Sequence, residues 1–277
     1  MKLPFTKMHG LGNDFIVMDL RNNAFREALP ALGDLSRRLC DRRFGIGADQ
    51  ILLLESSAKA DFGMRIHNAD GSEVEMCGNG IRCLAKYIWD RKLSDKTTLS
   101  IETQAGIIRP ERSGDMVRVD MGEPVLDGRS IPVNLDGPIE DHPLSAGGRE
   151  FRITCVSMGN PHAVTVLDDL EGFNVPGYGP LIENHELFPN RTNVEFIQIL
   201  SPEVIKMRVW ERGSGETLAC GTGASAAGVA ASLRGLTNRK VTVKLLGGDL
   251  LIEWAPDNHV YMTGPATEVF EGLIEVP

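Results

Sequence analysis

The chain predicts an α+β fold built as two copies of one mixed helix-and-strand unit. Three observations predict it. "MRIHNADGSEVEMCGNG", Met64 to Gly80, returns as "MRVWERGSGETLACGTG", Met207 to Gly223, at a constant offset of 143 and without a gap. Each copy runs strand, polar glycine-bearing loop, Cys-Gly-x-Gly turn, helix. After each helix, "LSIETQAGIIRPERSGDMVRVDMGEP" and "VTVKLLGGDLLIEWAPDNHVYMTGPA" both read as strand, glycine turn, strand, strand.

Taken in order, the likeness begins near the start. "LGNDFIVMDL" parallels "MGNPHAVTVLDDL", with Asn13 opposite Asn160. "REALPALGDLSRRLCDRR", with Pro30 near its start, has helical period. "DQILLLE" at Asp49 lies over "TNVEFIQ" at Thr192, again at offset 143. "IRCLAKYIWDR" and "ASAAGVAASLRG" are the matching helices. The run "LACGTGASAAGVAASL", 218–233, is Gly/Ala-rich and shorter than the about 20 residues a bilayer span needs, so it reads as a buried helix. The domain boundary falls near "MGEPVLDGRS", 121–130, which is rich in Gly and Pro. The expected domains are 1–121 with the C-terminal 267–277, and 122–266.

Composition narrows the function. The 277 residues carry a net charge of -9 with no basic stripe, which argues against a nucleic-acid partner and leaves small molecules open. "MKLPFTKMHG" has no apolar core of signal-peptide length, and no membrane span is expected. Five scattered cysteines without C-x-x-C imply reduced thiols, a cytoplasmic setting and no structural metal. "GTGASA" fits a dinucleotide fingerprint, but the first copy breaks it at Cys83 and no acidic strand end follows. "NRT" at Asn190 matters as a glycosylation acceptor only in a secreted protein. His9, His67, His142, His185 and His259 show no ligand spacing.

Alone, a cysteine before a glycine turn is most often a small buried residue. Duplication reverses that reading for Cys77 and Cys220, while Cys40, Cys83 and Cys155 have no counterpart and read as core. A thiol at a helix N-terminus meets unpaired N–H groups and about half a positive charge, so its pKa is expected to fall. The same amides suit a carboxylate, and glycines 78, 80, 221 and 223 let backbone approach a ligand. Two such half-sites facing each other across an interdomain cleft could flank one α-carbon. One thiolate removes the proton, the opposite thiol returns one, and the carbon inverts.

"NADGSEVEMCGNGIRC", "ERGSGETLACGTGASA", "KMHGLGNDFIVMD" and "SMGNPHAVTV" resemble the signatures of the diaminopimelate epimerase family, over nearly the whole chain. The resemblance implies a strongly curved, barrel-like, mostly antiparallel sheet around a central helix in each domain. It implies interconversion of LL- and meso-2,6-diaminopimelate without a cofactor, on the route to lysine and peptidoglycan. Cys77 and Cys220 would be the acid–base pair. Gly78, Asn79, Gly221 and Thr222 would bind the reacting carboxylate; Asn13, Gln50, Asn68, Asn160 and Asn193 would line the site. Glu211 and Arg212 would hold the substrate's polar groups, and His162 and Glu211 would tune the thiols. At offset 143, Asn68 stands opposite Glu211 and Ala69 opposite Arg212, so the surroundings of the two sulphurs differ. Phe270 stands where the family has a dimer-contact aromatic, usually tyrosine, which implies a homodimer. Proline or hydroxyproline racemases, which share the facing cysteines, are the nearest alternative. A phenazine-biosynthesis-like isomerase lacks the cysteine pair. A thiol redox protein and a pure binding protein are the rivals from other classes.

Overall fold

A computed structural model describes residues 2–22 and 31–275, which divide into two compact units, 1–119 with 264–277, and 120–263. The first unit holds β1 (Lys2–Gly10), β2 (Asn13–Asp19), α1 (Leu32–Cys40), β3 (Gln50–Glu55), β4 (Phe62–Asn68), β5 (Glu73–Val74) and α2 (Gly78–Asp90). It continues with β6 (Ile101–Thr103), β7 (Gly106–Ile108), β8 (Glu111–Ser113) and β9 (Met116–Asp120), whose last residue opens the second unit. The second holds β10 (His142–Ala146), β11 (Arg149–Ser157), β12 (Pro161–Val166), α3 (Val175–Glu183), β13 (Asn193–Ser201), β14 (Val204–Glu211) and β15 (Gly215–Thr217). Then come α4 (Gly221–Leu233), β16 (Lys240–Leu245), β17 (Gly248–Trp254) and β18 (Val260–Gly264); β19 (Thr267–Glu275) returns to the first unit.

The duplication is explicit in the pairing. In the first unit the order is β19-β1-β2-β3-β4-β6-β7, with β5 on β4. Its joins from β1 onward run antiparallel, parallel, antiparallel, parallel, antiparallel. In the second, β11-β12-β13-β14-β16-β17 repeats that sequence of joins, with β15 on β14. The parallel joins are crossovers, which is why a helix or long connection separates those strands. Both sheets are open among the described residues, so the barrel-like shape goes no further than a mixed, mostly antiparallel sheet carrying a helix.

Each sheet buries both faces. Alternation sends Ile16, Met18, Ile51 and Leu53 to a core with Leu35 and Leu39 of α1. Phe15 and Leu52 point the other way, beneath α2. In the second unit Phe151, Ile153, Val194 and Phe196 pack with Val175 and Ile182 of α3. The other face takes α4, almost wholly buried, where Gly228 lets the helix settle against Ile252 and Val241. The first helix ends at Cys40 rather than at Arg43, because Asp41 accepts from the Arg43 and Phe44 amides at 2.7 Å each and turns the chain. The portion expected at 26–30 lies outside the described residues. Segment 121–130 is pinned rather than loose: Val125 pairs with Ser157, and Gly128 N–H donates to Gly137 O at 2.8 Å.

Candidate active site

Each unit places one cysteine at the same position relative to its sheet and helix. Cys77 is the N-cap of α2 with φ -139 and ψ 117, and Cys220 is the N-cap of α4 with φ -127 and ψ 116. The short strands before them lie against β4 and β14, so each thiol is delivered to the same end of its sheet. Both helix N-termini sit close on the sheet beneath. A Cβ at Gly80 would lie 3.1 Å from Leu52 Cδ2, and one at Gly223 would lie 2.7 Å from Glu195 Oε1. Close packing of helix on sheet therefore explains these two glycines without a ligand.

In the first unit Asn13, Gln50 and Asn68 gather at the ends of β2, β3 and β4. Gln50 Nε2 donates to Asn68 Oδ1 at 2.8 Å, and Asn68 Nδ2 donates to Ser72 Oγ at 2.9 Å. Gln50 Oε1 is buried and accepts from no described group, so it is available to a ligand N–H. Cys77 Sγ–H points at Asn13 Oδ1, 3.7 Å away, and Asn79 Nδ2 donates to the same oxygen at 3.2 Å. Behind Asn13, Asp14 is bound by Lys7 and Arg42. Burial opposes ionisation of Asp14, but hydrogen bonds from Arg42 and Lys7 carry its pKa down to about 2.

The second unit places Asn160, His162, Asn193, Glu211 and Arg212 at the corresponding strand ends. His162 and Glu195 are both fully buried, and His162 Nδ1 meets Glu195 Oε1 at 2.7 Å. His162 Nε2 meets Asn160 Oδ1 at 2.9 Å. Both ring nitrogens thus bond to Glu195 and Asn160 rather than to a sulphur. Asn193 spends its amide on backbone, donating to Pro161 O and accepting from Arg212 N–H, each at 2.9 Å. That bond seats Arg212, whose Nη1 donates to Asn190 O at 3.0 Å. Glu211 accepts from the Thr217 hydroxyl, and burial pushes its pKa up.

The expectation of a lowered thiol pKa fails at Cys220. Gly223 N–H donates to its sulphur at 3.4 Å and the Thr222 hydroxyl lies 3.5 Å away, both favouring thiolate. Burial outweighs them, reinforced by the negative charges of Glu211 and Glu195, and holds the thiol well above its usual range. Cys40, Cys83 and Cys155 are buried as expected, with burial pushing Cys83 and Cys155 up to about 12.

Arg82, Glu195 and Asp49 are polar groups at these half-sites that motif reading passed over. The internal alignment held a signal for the second. At the shared offset Glu195 replaces Leu52, and in the opening motif His162 replaces Phe15. A buried, hydrogen-bonded histidine–carboxyl pair stands where the first copy is apolar. Phe270 lies on β19, packs edge-on against Phe5 with centroids 5.9 Å apart, and is exposed beside Val269 and Leu273. No helix among the described residues is long and apolar enough to cross a membrane.

Comparison with known proteins places this geometry. Residues 5–126 and 154–269 match the diaminopimelate epimerase family. The chain is 55% identical to a diaminopimelate epimerase of Agathobacter rectalis, covering 99% of this chain and 100% of the relative. It is 56% identical to one from Moorella thermoacetica, covering 97% and 98%. Among solved structures, a phenazine biosynthesis protein of Bacillus anthracis superposes with a TM-score of 0.72 at 16% identity, covering all of both chains. A hydroxyproline epimerase of Agrobacterium vitis gives 0.65 at 15%, covering 99% and 92%. These two share the fold, whereas the sequence relatives and the family match go further: the chain belongs to the diaminopimelate epimerase family.

Proposed function

We propose that this chain interconverts LL- and meso-2,6-diaminopimelate by moving a proton at one α-carbon between two sulphurs, without a cofactor. The observation that carries the reading is the matched pair of N-cap cysteines, equivalent in backbone and in sheet position, each over a helix N-terminus. The substrate's reacting carboxylate binds the first-turn amides, with Gly78 and Asn79 on one side and Gly221 and Thr222 on the other. Those amides stabilise the negative charge that spreads onto the carboxylate when the α-proton leaves. One sulphur, as thiolate, takes the proton; the other, as thiol, delivers its own to the opposite face. Burial and two carboxylates raise the Cys220 pKa and favour its thiol form; because the reaction runs both ways, each sulphur is the base in one direction and the acid in the other. Asn13, Gln50, Asn68, Asn160 and Asn193 line the substrate site, and Glu211 and Arg212 hold the substrate's remaining polar groups. Arg212 offers a planar fork for a carboxylate. His162 acts at one remove, through Glu195 and Asn160.

The reading includes a cytoplasmic enzyme of lysine and peptidoglycan-precursor synthesis, acting as a homodimer through the exposed edge at Phe270. Incubation with LL-diaminopimelate in deuterated water tests it: meso product with solvent deuterium at the inverted carbon is expected. Turnover of L-proline in place of diaminopimelate would transfer the reading to the proline racemase class. Absence of α-proton exchange with either substrate would remove it.

A further inference from the structure

Beneath Cys77 runs a polar chain with a guanidinium at one end and a carboxylate at the other. Arg82, on the second turn of α2, is wholly buried. Its guanidinium donates to Gly78 O and Pro265 O, each at 3.2 Å, and to Asn79 Oδ1 at 2.9 Å. Asn79 Nδ2 donates to Asn13 Oδ1 at 3.2 Å, and Asn13 Nδ2 donates to Asp49 Oδ2 at 2.8 Å. A guanidinium only donates and an ionised carboxylate only accepts, so neither amide between them can flip without setting donor against donor or acceptor against acceptor. The sequence makes room for this chain. A Cβ at Gly10 would lie 3.1 Å from Arg82 Nη2 and 3.2 Å from Asn79 Cβ.

The second unit has no equivalent. At offset 143 Arg82 becomes Ser225, whose hydroxyl donates to Gly221 O at 3.0 Å, Asn79 becomes Thr222, and Asp49 becomes Thr192. The device therefore belongs to the Cys77 half-site alone.

We propose that Arg82 is a positioning residue: its buried guanidinium locks the Asn79 amide, and through it Asn13, so that the Asn79 NH2 is turned toward the Cys77 end of α2 to receive the substrate carboxylate. Asn13 Oδ1 uses one of the two Asn79 amide hydrogens; the other is left for the ligand. Without Arg82, only the 3.2 Å bond from Asn79 Nδ2 to Asn13 Oδ1 still opposes rotation of the amide, and a rotated Asn79 presents its oxygen to the carboxylate, which repels it. The inference rests on the epimerase reading given above.

The test is a double-mutant cycle on KM for diaminopimelate, with Arg82→Met, Asn79→Ala and the pair, each checked by thermal melting. Wild-type enzyme is assayed first, and its inactivity would strike the functional reading rather than this one. With an active wild type, Arg82→Met should raise KM about tenfold to a hundredfold, with a smaller change in kcat. In the Asn79→Ala background the same substitution should change KM by less than about twofold, since no amide remains to orient. A merely structural arginine would cost the same in both backgrounds, and that result overturns the proposal. Should Arg82→Met fail to fold, Arg82→Gln carries the same cycle, because glutamine keeps a polar group but loses the obligate donor. An unchanged KM in Arg82→Gln, or an equal penalty in both backgrounds, overturns it as well.

Discussion

Replacing Glu195 with glutamine should make Cys220 a faster nucleophile. The substitution keeps the size and an acceptor for His162 Nδ1 while removing a buried negative charge. A point at the Cβ position of Gly223 lies 2.7 Å from Glu195 Oε1 and 3.3 Å from Cys220 Sγ, so sulphur and oxygen are at most 6.0 Å apart. At that separation and an effective dielectric of about 20, one unit charge opposes the thiolate by about 3 kcal/mol. Both groups are buried, so solvent screens little of this. Removing it should raise the thiolate fraction below the thiol's pKa by about a hundredfold and, because a less basic thiolate is a weaker nucleophile, the alkylation rate by about tenfold. The assay is iodoacetamide labelling in a Cys77→Ser background, with Cys220 followed by peptide mass spectrometry across pH 6 to 9. Access to the sulphur is common to parent and variant, so their ratio isolates charge. An unchanged or lower rate in a folded Glu195→Gln protein would refute the claim that Glu195 helps keep the proton on Cys220.

Cys77→Ala and Cys220→Ala should each lower epimerisation by about a hundredfold to ten-thousandfold in coupled assays, because neither variant completes both proton transfers. Gly223→Ala should destabilise by about 1–3 kcal/mol in urea titrations, since its Cβ meets the hydrogen-bonded Glu195 carboxylate. Asp14 has its folded pKa lowered to about 2 from 3.8. Its contribution is present above about pH 4 and lost as pH falls toward 2; Arg42→Ala should therefore flatten the melting-temperature profile over that window. Cys155 has its folded pKa raised to about 12 from 9.0, so its contribution is present below pH 9 and lost as pH rises toward 12. Cys155→Ala should reduce the alkaline slope of stability, read by the same melts. Phe270→Asp should shift sedimentation from dimer to monomer if the β19 edge is the contact.

Much of the fold and the placement of the two cysteines before helices are legible in the sequence. A duplication preserves spacing, and spacing alone locates Cys77 and Cys220, the strands before them and the helices after. Backbone periodicity and the local demands of a Cys-Gly-x-Gly turn are properties of contiguous residues, so they survive in a one-dimensional reading. The sign of the Cys220 perturbation was not of that kind. It depends on burial and on Glu211 and Glu195, and on how near those carboxylates lie to one sulphur. Arg82 looked like an ordinary helix residue, and only its burial against Asn79, Gly78 and Pro265 gave it a role. Residue order determined where the thiols sit along the chain; packing decided what surrounds them, because desolvation and Coulomb energy follow distance in space rather than along the sequence.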